Sequence, residues 1–331
     1  MFDPNLLQRP LPLVPRLEPK VWGGSALGEL FGKSLPGGEP LGESWEVYDR
    51  PGSSSLLAGV PGGITLHDLL EEDPEGLLGP EGARDGKGSF PLMVKFLDAR
   101  DLLSIQVHPG WDYAALEEGD RGKAEAWVVV SAMPQAKVYH GLRAGADRAA
   151  LERAAREGTL PGLLRSFRPE PGEVIWIPPG TVHGMGGGVV VYEIQTNSEV
   201  TYRLYDWDRP GRDGRPRELH LEKALEVIDF SREPGGTPPP REVQPGRTLL
   251  LETPWFVLER FGPPWCGAVG GGDGFTLLSV LEGDVRVGGE GGLSLGPGAT
   301  VLLPARAGAS TLEGRGCSSW SVLSARPGRS R

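Results

Sequence analysis

Apolar and polar residues alternate in short runs through most of the chain: SWEVYD (44–49), LMVKFLD (92–98), LLSIQVH (102–108), EAWVVVS (125–131), EVIWIP (173–178), VVVYEIQT (189–196) and VTYRLYD (200–206). These runs are rich in β-branched and aromatic residues and are bounded by Gly, Pro or Asp, which predicts strands joined by tight turns. Helical spacing is confined to LHDLLEED (66–73), DRAALERAAREG (147–158) with LPGLLRSF (160–167), and ELHLEKALEVI (218–228). Those segments read as insertions and a closing piece around a β core.

A Pro/Gly-rich polar stretch, REPGGTPPPREVQPGR (232–247), has no apolar period and interrupts this pattern. It divides the chain into residues 1–235, a linker at 236–247 and a second domain at 248–331, each part long enough for its own core. Beyond the linker the chain is again strand and turn, and it repeats itself. PGEVIWIPPGTVH (171–183) and PGATVLLPARAGA (297–309) align without a gap: a Pro-Gly turn, a five-residue apolar strand, a proline exit and a short loop. The first copy ends in His183 and the second in Ala309. This unit resembles the second half of a cupin motif, in which a barrel strand delivers a metal-binding histidine. The fold class expected is mainly β, two cupin-type (jelly-roll) barrels with a few inserted α-helices.

The formal charge of -10 comes without a basic stripe, which argues against nucleic acid or an anionic membrane surface as partner. A phosphate-bearing substrate would need a locally positive site against that field. No signal-peptide core opens the chain and no apolar run is long enough to span a bilayer, so a cytoplasmic location is expected. The cysteines, Cys266 and Cys317, are too few for a disulfide framework or a thiolate zinc site. Any metal must therefore be held by nitrogen and oxygen.

Candidate ligands of that type occur on three separate strands. Side chains of a strand alternate between faces, so Ser104, Gln106 and His108 share one face while Leu103, Ile105 and Val107 take the other. Glu125 lies on the next strand with Lys123 on the same side, and His183 ends the repeat unit. Two imidazoles, one carboxylate and one amide oxygen suit a borderline dication such as Zn²⁺, leaving a net charge near +1 and a good Lewis acid. Each of these residues also has a structural reading, since a lone strand histidine is commonly a satisfied core residue. Val191, Glu193, Gln195 and Asn197 share a further face, as do Thr201, Arg203 and Tyr205. Such groups inside a barrel need a ligand, metal or solvent to satisfy them; on an outer face they would be ordinary salt bridges. Lys95 and either Glu43 or Glu46 are further inward candidates.

The strings PKVWGG, GESWEV, VKFLDARDLLSIQVHP, KAEAW, IPPGTVHGMGGG, YEIQTNSEVTYRLYDWDR and RELHLEKALEVI resemble, in order and spacing, the type I mannose-6-phosphate isomerases of the shorter bacterial class. The resemblance implies a zinc-dependent aldose–ketose isomerase with one Zn²⁺ per chain, held by Gln106, His108, Glu125 and His183. It implies a sugar phosphate substrate contacted by Ser104, Lys95, Lys123, Glu193 and Arg203. In that reading Glu193 or Lys123 shuttles the proton, and Arg203 adds positive charge beside the enediolate. Phosphate contacts are expected from Lys95, Ser104 and one of Lys123 or Arg203, because no glycine-rich loop opens a helix. Two departures stand out: the loop after His183 reads GMGGG, and Glu199 and Val200 replace the family's usual aspartate and threonine. The second unit, with Ala309 at the ligand position, is expected to bind no metal and to cover a sheet of the first barrel, anchored by Trp255, Trp265 and Trp320. A monomer or homodimer fits equally. Two rival readings share the scaffold, an Fe²⁺ cupin dioxygenase and a non-catalytic sugar-binding cupin.

Overall fold

The computed structural model describes residues 3, 5–84, 88–113, 121–231, 237–289, 291–316 and 319–328. The chain forms two jelly-roll barrels of the cupin type with few helices. In the first barrel a six-stranded sheet has the order Val174–Ile177, Glu125–Ala132, Val189–Thr196, Leu92–Ala99, Leu41–Val47 and Arg16–Gly24. It faces a five-stranded sheet ordered Leu164–Phe167, Lys137–Leu142, His183–Gly186, Ile105–Val107 and Tyr202–Tyr205.

The second barrel repeats this plan. Thr300–Leu303, Thr276–Glu282, Ser321–Pro327, Phe256–Phe261, Arg247–Glu252 and Arg241–Gln244 adjoin one another in the same relative order as the six-stranded sheet. The N-terminal strand Leu11–Val14 extends this sheet by pairing with Thr300–Leu303. The expected boundary at 235/236 lies outside the described residues. Within the stretch expected as linker, Arg241–Gln244 is an edge strand paired with Arg247–Glu252 across a turn at Gly246, whose φ is 76°.

The strands of the large first-barrel sheet carry apolar residues on both faces because both are covered, with Lys95, Glu125 and Glu193 among the charged exceptions on the inner one. Leu92, Val94, Phe96, Tyr192 and Ile194 pack outward in one core with Leu250, Leu258, Leu277, Leu323 and Ala325 of the second barrel. The alternate residues Leu97, Trp127, Val129 and Val191 fill the first barrel's interior. The second barrel thus covers a sheet of the first, as expected. Trp320 is buried in its interior core, whereas Trp265 is only partly buried against Phe261 and Trp255 stacks on Trp111 at 4.7 Å.

Helices occur at Leu66–Glu72, where Thr65 and Asp68 form a reciprocal capping box, at Arg148–Arg156, capped by Asp147, and at Leu221–Val227. The expected helical run 160–167 is corrected: Leu160–Leu163 is a 3-10 turn and Leu164–Phe167 is a strand paired with Lys137–Leu142. Pro161 and Gly162 break the helix, and the open edge of the five-stranded sheet captures residues 164–167. Among the described residues no helix is long and apolar enough to cross a membrane.

Candidate active site

The ladder of the five-stranded sheet sets His183 directly opposite Gln106, and Gln106 opposite Arg203. The facing sheet sets Glu125 opposite Gln195, and Glu193 opposite both Trp127 and Lys95. Because side chains alternate, Glu125, Glu193 and Lys95 all project into the barrel toward the Gln106–His183 pair.

There the side chains converge. Ligand atoms of His108, Glu125 and His183 lie within 4.8 Å of one another, and all three residues are buried. Glu125 Oε1 is 3.1 Å from His183 Nε2, and Glu125 Oε2 is 3.4 Å from His108 Nε2. The Gln106 amide nitrogen is 3.3 Å from His183 Nε2, and its oxygen accepts from Ser104 Oγ at 3.1 Å. Each imidazole is oriented through its other nitrogen: His108 Nδ1 lies 2.8 Å from the Val200 carbonyl and His183 Nδ1 2.9 Å from that of Thr181. Carbonyls only accept, so each Nδ1 carries the proton and each Nε2 presents a lone pair. Burial first, and the Lys123 charge second, push the His108 pKa down to about 3, which keeps the ring neutral. Two lone pairs therefore point at a carboxylate, and among the described residues His108 Nε2 and both Glu125 oxygens have no well-aimed hydrogen-bond partner, Lys123 meeting Glu125 as an ion pair. A cation among them would satisfy all three groups.

The family model for phosphomannose isomerase type I, catalytic domain, matches residues 11–122. The chain is 36% identical over 313 residues to the probable mannose-6-phosphate isomerase GmuF of Bacillus subtilis, covering 93% of this chain and 97% of that one. It is 35% identical to mannose-6-phosphate isomerase ManA of the same organism, over 92% and 96% of the two chains. The chain belongs to the type I mannose-6-phosphate isomerase family. A crystal structure of mannose 6-phosphate isomerase from Bacillus subtilis superposes with a TM-score of 0.85 at 31% identity, covering 96% of this chain and all of that one. The protein is an aldose–ketose isomerase.

Around the candidate metal ligands, the isomerase arranges cations and carboxylates in alternation. Lys123 Nζ is 2.8 Å from Glu125 Oε2. Burial opposes its charge, but Glu125, Glu193 and Glu43 outweigh burial and raise its pKa. Burial likewise opposes ionisation of Glu125, yet Lys123, His108 and His183 hold its carboxyl well below the ordinary range. Glu193 has the opposite balance: burial and the Glu125 charge raise its pKa against Lys123 and Lys95. Its Oε2 accepts from Trp127 Nε1 at 2.9 Å, and its Oε1 lies 3.8 Å from Lys95 Nζ. Arg203 is half-buried, its Nε has no hydrogen-bond partner among the described residues, and burial with the neighbouring Arg217 lowers its pKa.

Of the two glutamates offered by GESWEV, Glu43 is the inward one. It lies 3.7 Å from Lys95 and 3.5 Å from Lys20, and accepts from Trp45 Nε1 at 2.6 Å. Burial resists its charge, but Lys95, Lys20 and that hydrogen bond bring its pKa to about 2. Glu46 points the other way, into the joint between barrels, where it meets Lys33 at 2.6 Å. Gln195 and Asn197 share the expected run, but their amides pin backbone: Gln195 donates to the Ser198 carbonyl at 2.5 Å and Asn197 to those of Asp49 and Phe90. Sequence reasoning missed Trp127, although its place two residues after Glu125 puts it on the same face.

Proposed function

We propose that the enzyme interconverts mannose 6-phosphate and fructose 6-phosphate through an enediol(ate), with one zinc ion held by Gln106, His108, Glu125 and His183. The carrying observation is the pair of imidazole lone pairs aimed at one buried carboxylate. That donor set, two neutral nitrogens, an amide and a single anion, fits Zn²⁺. When bound there, the ion supplies Lewis acidity toward the substrate's carbonyl and hydroxyl oxygens.

The chain's own groups divide the remaining work. Glu193 is the proton carrier between C1 and C2, acting through Oε1, because Oε2 is fixed by Trp127 and a carboxyl with raised pKa can both hold and release a proton. Lys123, held as a cation by three carboxylates, is placed to receive negative substrate oxygens instead of acting as base. Lys95 sits too close to Glu193 to hold a phosphate at the far end of the sugar from the reacting carbons, so it grips a hydroxyl beside the proton carrier. Ser104 is bonded to Gln106 and turns that amide, in addition to any hydroxyl it meets. Arg203 places fixed positive charge next to the Gln106 strand, where the enediolate oxygens develop. The substrate-facing chemistry belongs to residues 1–235, with 248–331 as the covering unit, and the enzyme works in the cytoplasm.

The test is isomerisation of mannose 6-phosphate in deuterated water without oxygen. Turnover with solvent deuterium entering the product supports the reading. Turnover that requires oxygen, or a product that stays free of solvent deuterium through prolonged incubation at isomer equilibrium, argues against the enediol route.

A further inference from the structure

The two barrels can be matched residue by residue through their ladders. Glu125 opposes Ile177 in the first, and Thr276 opposes Leu303 in the second, where Leu303 is the repeat partner of Ile177. His183 opposes Gln106, and its repeat partner Ala309 opposes Gly270. The metal-ligand positions are thus Gly270, Thr276 and Ala309, with Gly272 in place of His108.

Of the substrate-facing positions, those of Ser104 and Lys123 become Ala268 and Gly274, whereas those of Lys95, Glu193 and Glu43 remain polar. Glu193 opposes Lys95, and Ser324 opposes Glu259. Glu43 opposes Leu97, and Arg247 opposes Phe261. The Lys95–Glu43 contact of the first barrel is therefore replaced by the same contact with its charges exchanged, Glu259–Arg247, now a fork with N–O distances of 2.9 and 3.1 Å. Arg326 stands at the place of Gln195, two residues beyond Ser324 on the same face. Leu258, Leu323 and Ala325 between these residues belong to the inter-barrel core, which turns the polar set inward.

A cavity of about 1550 Å³ opens there, walled on its far side by the helices Pro74–Leu78 and Pro80–Arg84. Thr276 and Ser324 line it at 4% and 3% exposure, and among the described residues their hydroxyls have no hydrogen-bond partner. Arg326 lines it with no carboxylate partner among the described residues. These two hydroxyls and the half-exposed Arg326 guanidinium face the open cavity, where the polar groups of a ligand can exchange for solvent.

We propose that the second barrel keeps a binding site at the position equivalent to the catalytic pocket, and that this site takes a hexose phosphate without a metal. The Glu259–Arg247 fork offers an acceptor and a donor side by side for a pair of sugar hydroxyls, Thr276 and Ser324 add two more contacts, and Arg326 takes the phosphate. The choice of hexose phosphate rests on the isomerase reading; the site itself rests on the ladder match and the cavity.

The experiment is equilibrium dialysis of the holoenzyme against radiolabelled mannose 6-phosphate at isomer equilibrium, with turnover measured in parallel. Two bound hexose phosphates per chain are expected, falling to one in Arg326→Ala and in Gly272→Phe, with kcat within about twofold of wild type. Gly272 has open space where a side chain would stand, so the phenylalanine fills the cavity without displacing backbone. A single bound molecule in the wild type, or two in both variants, overturns the proposal. Failure of the isomerase reading shows separately, as absent turnover in every protein. Unlabelled mannose that displaces the second molecule as well as mannose 6-phosphate does would overturn the phosphate assignment.

Discussion

Trp127 joins the proposed proton carrier to a proposed metal ligand: its indole N–H donates to Glu193 at 2.9 Å while its ring meets His183 edge-on at 5.6 Å between centroids. Being 1% exposed, it is also part of the first barrel's core. The hydrogen bond stabilises the ionised carboxylate and so works against the burial that raises the Glu193 pKa.

Trp127→Phe keeps most of the packing and removes that donor. The Glu193 pKa should then rise further, so the acid limb of kcat/KM moves to higher pH while bound zinc stays constant. Profiles of kcat/KM across the range from weakly acidic to weakly basic pH check this; an unmoved or downward-shifted limb would detach Glu193 from the proton transfer.

Arg203→Ala removes charge without touching a proposed zinc ligand, since Arg203 meets Gln106 through the backbone ladder. Turnover should fall by about 10²- to 10³-fold, the usual cost of losing one preorganised electrostatic contact. Zinc per chain should be unchanged. Metal analysis beside steady-state kinetics decides it, and loss of zinc would give Arg203 a structural role.

Glu43 has a folded pKa of about 2 against an ordinary 4.5, so it contributes stability that is fully present above pH 4.5 and is lost as pH falls through 2. The contribution is on the order of 3 kcal/mol for a group this buried. Glu43→Gln should therefore unfold more readily than wild type in urea at neutral pH, with the gap narrowing as pH falls from 4.5 toward 2. A gap that is constant over that window would mean that Glu43 acts through packing alone.

Much of this arrangement is legible in the sequence because a strand's alternation is local. Spacing by two placed Gln106 with His108 and Lys123 with Glu125, and the repeat of 171–183 at 297–309 marked the second barrel. What local pattern does not carry is which of two faces a long-range partner covers. Glu43 and Glu46 flank Trp45 on opposite faces, and only the pairing of Leu41–Val47 with Leu92–Ala99 sends one inward and the other to Lys33. The strand Leu164–Phe167 depends in the same way on an edge well before it in the chain, for instance Leu142 opposite Leu164 and Val138 opposite Phe167. Gln195 and Asn197 continue the alternation from Glu193, yet the turn after the strand recruits the Gln195 amide and the backbone of Asp49 and Phe90 recruits that of Asn197.

A cation held between His108, Glu125 and His183 is the centre of the proposed chemistry. Its most direct test is turnover on mannose 6-phosphate measured against zinc bound per chain, as chelated protein is titrated with the metal. Activity should be absent in the stripped protein and rise in proportion to bound zinc up to one per chain, whereas His183→Ala should bind none at the same free zinc. Full turnover by stripped wild-type protein would contradict a metal-dependent site.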